Sequence, residues 1–576
     1  MRVAFSTCRQ RSFALLIALT LTSGANADET SLMLAPVDVR FESISKGPWR
    51  QIGLAGKPFW FTLGGAEDSE IHQKTIAAKN LSDPGLPMYG VAEWCYSFHH
   101  LKDGAADGAG YKHFGGYPTP PKTRDEAYGV VHSYFDRLVR DAETKATPAQ
   151  RKLRFSINGH YCYQHFGCEW GCDVVGSEVG ENINSTQAHI AFTRGAARQF
   201  GKPWLMDMSS WYGPSMFDED PKKTWGEYSG ADHGHSLSLH ERTYLVSYMA
   251  GADIVIAEGG WLNCFKSQQP AEDGTLPLSR LGDVAAKFYR LTRKHPDRGV
   301  AFTPFALVID EKHGIFPGFG PKRAWDTFPY THGDQRILDI WETFFPASVV
   351  VQGRGDERGY LVHSPLGDTL DVLLTNASDD VLASYPVLLV AGELQENEAF
   401  AKRLQHYAEN GGVVLLSEED SKRAWLKKGL ALEELPRGES NGYMRSALGK
   451  GAVIVYSERG KKDDRPLVHL LNRLRDELLP VQVTGKVEFL VNRAAKGWVI
   501  TLVNNEGIAK DFRTPPKIDS NHAEDVVIRF TGSGTLESCL LWSDEKDEPL
   551  DVHQIKLTVP PGETRIIELT VKQKDH

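Results

Sequence analysis

Two acidic segments carry the chemistry that this sequence can offer. Asp173-Val-Val-Gly-Ser-Glu178 and Ala252-Asp-Ile-Val-Ile-Ala-Glu258 are short apolar runs that each stop on a glutamate, with a glycine close behind. A run of that length and texture predicts a strand buried on both faces, as in a parallel sheet covered by helices. Each carboxylate then sits where its strand leaves the core, at the mouth where a barrel keeps its chemistry. Two carboxyl groups facing one another across such a mouth are the minimum apparatus for breaking a glycosidic bond, one handling the proton and the other the anomeric carbon. Glu258 follows four apolar or small residues, Ile254 to Ala257, and precedes Gly259-Gly-Trp261. Acids are rarely buried in such a setting without a partner or a task, although a salt bridge at a loop start is the plainer account. Glu181 competes with Glu178, because the two stand three residues apart; an acid facing a helix N-terminus is its structural alternative.

Around these two runs lie further polar and aromatic groups. Glu93 ends another strand-like run and is flanked by Trp94 and Tyr96. It could hold a sugar hydroxyl or pair with an arginine, and Asp207 could line the same mouth or cap a loop. Trp94, Tyr96, Trp170, Trp211, Tyr212 and Trp261 cluster after strand-like segments, as stacking platforms for sugar rings would. His99, His100, His160, His165, His233 and His235 add polar or partly cationic groups, which makes a sulfated or uronic saccharide a candidate substrate. No His-x-His or His-Glu-x-x-His pair falls on a strand or helix where metal ligands would converge; His233-Gly-His235 lies in a glycine-rich loop. No metal and no cofactor is expected.

The elements that must position these groups divide the chain in three. At 576 residues it is too long for one core. A net charge of -10 argues against a nucleic-acid partner. Arg2, Arg9 and Arg11, the apolar run from Phe13, and Ala25-Asn-Ala27 read as a secretory leader over residues 1–27, so a secreted or periplasmic protein with no later membrane span is expected. Export favours one or two disulfides among Cys95, Cys162, Cys168, Cys172, Cys264 and Cys539, three of which lie within His160–Cys172; disulfides or buried thiols are expected there rather than a Cys/His metal site.

Residues 28–338 alternate strand and helix patterns and predict a (β/α)8 barrel with α/β architecture. Helices are expected over Asp125–Lys145, from a start capped by Asn184 with Gln187 as its capping-box partner, and over Leu239–Met249. Strands are expected at Trp60–Leu63, Met88–Trp94, Leu153–Asn158, Trp204–Met208 and, late in the barrel, Thr303–Asp310. Residues 339–482 predict a small doubly wound α/β domain of the glutamine-amidotransferase kind, with no cysteine to serve as that family's nucleophile and hence a packing or assembly role. Residues 483–576 read as a β-sandwich.

That order of parts resembles the glycoside hydrolase family 42 β-galactosidases and their clan A relatives over nearly the whole mature chain. Thr303-Pro-Phe-Ala-Leu-Val-Ile-Asp310, Tyr385-Pro-Val-Leu-Leu-Val-Ala391, Tyr407-Ala-Glu-Asn-Gly-Gly-Val-Val414 and Val559-Pro-Pro-Gly562 carry the likeness. The resemblance implies a retaining hydrolase of oligo- or polysaccharides in which Glu178 is the acid/base and Glu258 the nucleophile. In clan A an asparagine usually precedes the acid/base; here Ser177 does, which suits a divergent family built on the same plan. Substrate contacts are expected from Glu93, Trp94, Tyr96, His160, Asp207, Trp211 and Trp261, and a homo-oligomer is a possible assembly. A barrel that binds carbohydrate without turnover and a metal-dependent hydrolase using the His-rich loops are the other classes the sequence allows.

Overall fold

The computed structural model describes residues 60–62, 88–91, 121–145, 155–157, 159, 162–179, 186–208, 235–257, 278–315, 323–325, 327–346, 357–432, 437–440, 442–458, 465–510 and 515–572. The leader assigned to residues 1–27 lies outside them. No helix among the described residues is long and apolar enough to cross a membrane.

Six strands form the first sheet: β1 (Trp60–Thr62), β2 (Met88–Val91), β3 (Phe155–Ile157), β4 (Val174–Val179), β5 (Trp204–Met208) and β6 (Ile254–Ala257). They lie side by side in chain order and every pair is parallel. Parallel neighbours need crossovers, and helices supply them. These are α1 (Arg124–Lys145), α2 (Gln164–Glu169), α3 (Thr186–Phe200) and α4 (Leu237–Ala250), with α5 (Arg280–Lys294) after the last strand. All six residues of β4 are buried, as a strand covered on both faces requires.

The strand at Thr303–Asp310 is real but belongs elsewhere. As β8 (Phe305–Ile309) it is flanked on one side by β9 (Leu370–Leu374) and on the other by β10 (Val387–Val390). β11 (Val413–Ser417) and β14 (Gly451–Tyr456) extend this parallel sheet, and β13 (Tyr443–Leu448) and β12 (Arg437–Ser440) close it as an antiparallel edge. The order 9-8-10-11-14 is that of a doubly wound sheet, with β8 second from its edge and the order reversing between β8 and β10. The second sheet therefore reaches back across residue 338. An apolar run records that a strand is buried on both faces, and nothing in it records in which sheet.

The C-terminal segment folds as two antiparallel sheets. One holds β15 (Val481–Thr484), β18 (Glu524–Phe530) and β20 (Ile555–Val559); the other holds β16 (Glu488–Ala494), β17 (Gly497–Val503), β19 (Thr535–Leu541) and β21 (Thr564–Lys572). Phe489, Val491, Ile500, Leu502, Val526, Ile528, Ile567 and Leu569 fill the space between them. A two-residue strand, β7 (Val300–Ala301), joins the edge of β16 from the segment before β8.

Helix α3 binds the two parallel sheets together. Gly195 lies so close to β9 that a Cβ there would stand 1.9 Å from the Val372 carbonyl oxygen. On either side of that contact the charges are buried and paired. Arg194 donates to Asp371 at 2.6 Å and to Asp368 at 2.7 and 2.9 Å. Arg198 reaches Asp371, Thr303 and the Ala301 carbonyl. Asp371 also accepts from Thr303 Oγ1 at 2.9 Å and from the Tyr385 hydroxyl at 2.8 Å. Burial alone would raise the Asp371 pKa; Arg194 and Arg198 more than offset it, and the group is held below the usual carboxylate range. Gln187, expected to cap α3, instead accepts the Val362 N–H at 3.0 Å and donates to the Val362 carbonyl at 2.9 Å. A second buried cluster ties α4 to the C-terminal sheets. Glu357 accepts from the Ser236 N–H and hydroxyl, both at 2.6 Å, and from Arg242 at 3.1 Å, while Asn505 donates to the Glu357 carbonyl at 3.1 Å.

Replacing Asp371 by Ala leaves the buried Arg194 and the partly exposed Arg198 short of a counter-charge and is expected to cost about 3–5 kcal/mol in urea unfolding. A loss within 1 kcal/mol, on the order of a surface substitution, would contradict the clamp. Glu488 supplies a pH dependence of opposite origin. Its carboxyl is fully buried beside Asp368, and this desolvation pushes its pKa well above the ordinary glutamate value despite the Ser364 N–H it accepts at 2.8 Å. The native state thus binds this proton more tightly than the unfolded chain. Its contribution is complete below the ordinary glutamate pKa and is lost as pH rises through the raised native value. Glu488→Gln should flatten that decline, seen as a gain in unfolding midpoint over wild type that grows with pH.

Candidate active site at the carboxyl ends of β4 and β5

Strand alternation decides what faces the site. Ser177 points outward into the helix layer: its hydroxyl lies 2.6 Å from Gln164 Nε2 of α2, 2.6 Å from Thr193 Oγ1 and 3.3 Å from His189 Nδ1 of α3. Ile157, which shares that face through its pairing with Val175, packs so tightly against α2 that a Cβ on Gly167 would overlap it. The next residue along β4 must point the other way. Glu178 therefore lies on the face turned from α2 and α3, at the end of its strand, and its side chain is only 2% exposed. Its N–H donates to the Gly159 carbonyl at 3.1 Å, which fixes the strand end against the segment beyond β3.

Asp207 is the register partner of Glu178 across the β4–β5 pair. Partners in a parallel ladder share a face, and neighbouring strands run about 4.8 Å apart. The two acids are thus side by side, and Asp207 is as buried as Glu178. On β6 the register continues through Ile256, opposite Asp207, and Ala257, opposite Met208. Ala257 is the residue immediately before Glu258.

Glu258, Glu181, Glu93, Trp94, Tyr96, His160, Trp211 and Trp261 lie outside the described residues, as do Tyr212, His99, His100 and His233. Of the named candidates the structure brings together Glu178 and Asp207. It removes two aromatic-segment residues from the mouth. Tyr163, Phe166 and Trp170 recur at helical spacing, and the segment folds as α2 in the layer outside the sheet. Trp170 stacks on Phe166 and His132 and donates its ring N–H to the Tyr128 hydroxyl at 2.9 Å, so it is packed rather than offered to a sugar. His165 is fully buried and contacts the Val372 carbonyl at 3.0 Å across the boundary between the sheets; burial drives its pKa down to about 3, and it stays neutral. His235 is buried at the start of α4, 6.2 Å from the His240 ring.

Cys162, Cys168, Cys172 and Cys539 are buried free thiols. The disulfide expected inside His160–Cys172 is not formed: Cys162 and Cys168 sit before and within α2, Cys172 just beyond it, all packed in the apolar core. Cys95 and Cys264 lie outside the described residues. Among the described residues no three His, Cys, Asp or Glu side chains converge as a metal-binding set.

Sequence reasoning missed the polar cluster behind the strand. Gln164, His189 and Thr193 carry no motif. The available signal was the i, i+4 spacing of His189 and Thr193, which puts a second polar pair on a helix face that already includes apolar Ala196 and Phe192 nearby.

No family model matches the sequence, and no curated protein matches it. Solved structures do match in fold. The β-galactosidase from Bacillus circulans sp. alkalophilus aligns with a TM-score of 0.50 at 11% identity, over 88% of this chain and 82% of that one. A catalytic mutant of a GH42 β-galactosidase from G. stearothermophilus aligns with a TM-score of 0.49 at 11% identity, over 89% and 82%. An exo-carrageenase of GH42 from Bacteroides ovatus aligns with a TM-score of 0.43 at 10% identity, over 78% and 56%. At 11% identity the likeness to the Bacillus circulans β-galactosidase is one of fold alone.

Proposed function

We propose that the protein is a retaining glycoside hydrolase whose six-stranded parallel sheet is the described part of a (β/α)8 barrel. The observation that carries this reading is the pairing of Glu178 with Asp207: two buried acids, in register, on the face of the sheet turned away from the helices, at the carboxyl ends of their strands. That is where such barrels assemble their chemistry, and the fold shared with a β-galactosidase supports it.

In this reading Glu178 is the acid/base. It protonates the leaving oxygen, then removes a proton from the water that completes the second displacement. Glu258 is the nucleophile. It follows Ala257, the last residue of β6, directly in the sequence, and ends the second of the two apolar runs. Glu181 is the competing acid/base. Asp207, at the flank of Glu178, holds substrate hydroxyls, and Glu93, Trp94, Tyr96, His160, Trp211 and Trp261 complete the sugar contacts. Export from the cell and an anionic saccharide as substrate belong to the same proposal, on the leader-like first residues and the histidine-rich loops.

Glu178→Gln should lower kcat on the fastest 4-nitrophenyl glycoside of a panel by about 10²–10⁴-fold, and Glu258→Gln should do at least as much, with both variants folded as wild type by circular dichroism. Full turnover by the Glu258→Gln variant would sink the two-glutamate mechanism, and a wild-type protein that binds saccharides but cleaves no glycoside of the panel would favour a carbohydrate-binding barrel. Full turnover by Glu178→Gln with loss in Glu181→Gln would move the acid/base three residues on.

A further inference from the structure

The polar cluster behind β4 centres on Ser177. Thr193 donates its hydroxyl proton to the His189 carbonyl of the preceding turn, 2.6 Å away. With that proton committed, the short contact between Ser177 Oγ and Thr193 Oγ1 requires Ser177 to be the donor. The two lone pairs of Ser177 are then filled by the amide of Gln164 at 2.6 Å and by His189 Nδ1–H at 3.3 Å, which sets the histidine tautomer. Ser177 spends its one proton and both lone pairs on the helix side, and all four residues are buried. Hydroxyl, amide and imidazole groups buried this deeply would cost stability unless satisfied, so the cluster admits one arrangement of β4 against α2 and α3.

The cluster also stands on firm ground. Thr193 is followed by Arg194, whose guanidinium is locked between Asp368 and Asp371, and then by Gly195 in contact with β9. Helix α3 cannot slide without breaking those pairs. The strand end that bears Glu178 is thus held from behind by a helix that is itself fixed to the second sheet.

We propose that Gln164, Ser177, His189 and Thr193 form a positioning device for Glu178, setting the orientation of the 177–178 peptide and hence the placement of the carboxyl group on the opposite face. None of the four touches substrate. The proposal rests on the acid/base reading of Glu178, and it acts through geometry: a displacement of about 1 Å at a reacting group can cost on the order of 10²-fold in rate.

The test uses isosteric loss and conservative rescue in the full chain. Thr193→Val keeps the shape and removes the hydroxyl; Thr193→Ser keeps the hydroxyl; Ser177→Ala removes the centre of the cluster. With the 4-nitrophenyl glycoside that wild type cleaves fastest, at a temperature where every variant is fully folded, Thr193→Val and Ser177→Ala should lose about tenfold or more in kcat with KM within twofold, and Thr193→Ser should stay within twofold of wild type. Hydrogen exchange followed by mass spectrometry supplies a readout that needs no substrate: the amides of residues 174–179 should exchange at least tenfold faster in Thr193→Val and at the wild-type rate in Thr193→Ser. Unchanged kcat and unchanged exchange in Thr193→Val and Ser177→Ala, with Glu178→Gln inactive, would overturn the positioning role and leave the catalytic reading standing. Equal losses in Thr193→Val and Thr193→Ser would overturn it as well, since packing and not the hydroxyl would then be at work. Full activity in Glu178→Gln would overturn the catalytic reading and this proposal together.

Discussion

Arg194 and Arg198, one helical turn apart on α3, find their counter-charges on another sheet, and the placement of the remaining elements follows from that constraint. A guanidinium taken out of water is tolerated only with well-oriented acceptors. Asp368 and Asp371 provide them from the start of β9, and Thr303 and Tyr385 saturate what is left of the second carboxylate. Such pairs add little net stability over an apolar contact of the same volume, but they are intolerant of a shift. A helix that could otherwise ride along the sheet by a turn is thereby confined to one register. Gly195 lets the helix come down onto β9 at that register, where any Cβ would collide.

The consequence reaches the site through one residue of alternation. A strand offers its odd and even residues to opposite faces, so whatever fixes Ser177 on the helix side also fixes Glu178 on the other. The helix side of β4 is crowded with directed hydrogen bonds. The far side carries two buried acids in register. The second sheet acts on this picture as the anchor of α3.

Much of the frame was legible because the relevant signals are local. The runs at β4, β5, β6, β9, β10, β11 and β14 are apolar on both faces, and each is a strand of a parallel sheet. The helices at Arg124–Lys145 and Leu237–Ala250 stand where the periodicity puts them. Sheet membership was not legible, as β8 shows: Thr303–Asp310 has the composition of any buried strand, and its partners, Leu370 and Val387 opposite Phe305, lie 65 and 82 residues further on. The same limit explains Gln187. Its spacing from Asn184 satisfied a local capping rule, yet a loop far along the chain offered both a donor and an acceptor at Val362, and the long-range pair won. His165 and Trp170 misled for a related reason. Aromatic and imidazole groups near a strand end suit a sugar site, but at a spacing of three and four residues they also suit the inner face of a helix, and here they pack. For Glu178 and Asp207 the apolar runs that carry them signalled burial, which the structure shows for both, and an acid is seldom buried.

The central claim is that the face of the sheet bearing Glu178 and Asp207 is where a glycosyl unit is held and transferred. Trapping tests it most directly. A 2-deoxy-2-fluoro glycoside with an activated leaving group, matched to the sugar the protein cleaves, should leave one glycosyl unit on the chain, and peptide mapping should find that mass on Glu258. A stable adduct on a residue remote from the carboxyl ends of β4, β5 and β6 would contradict the account.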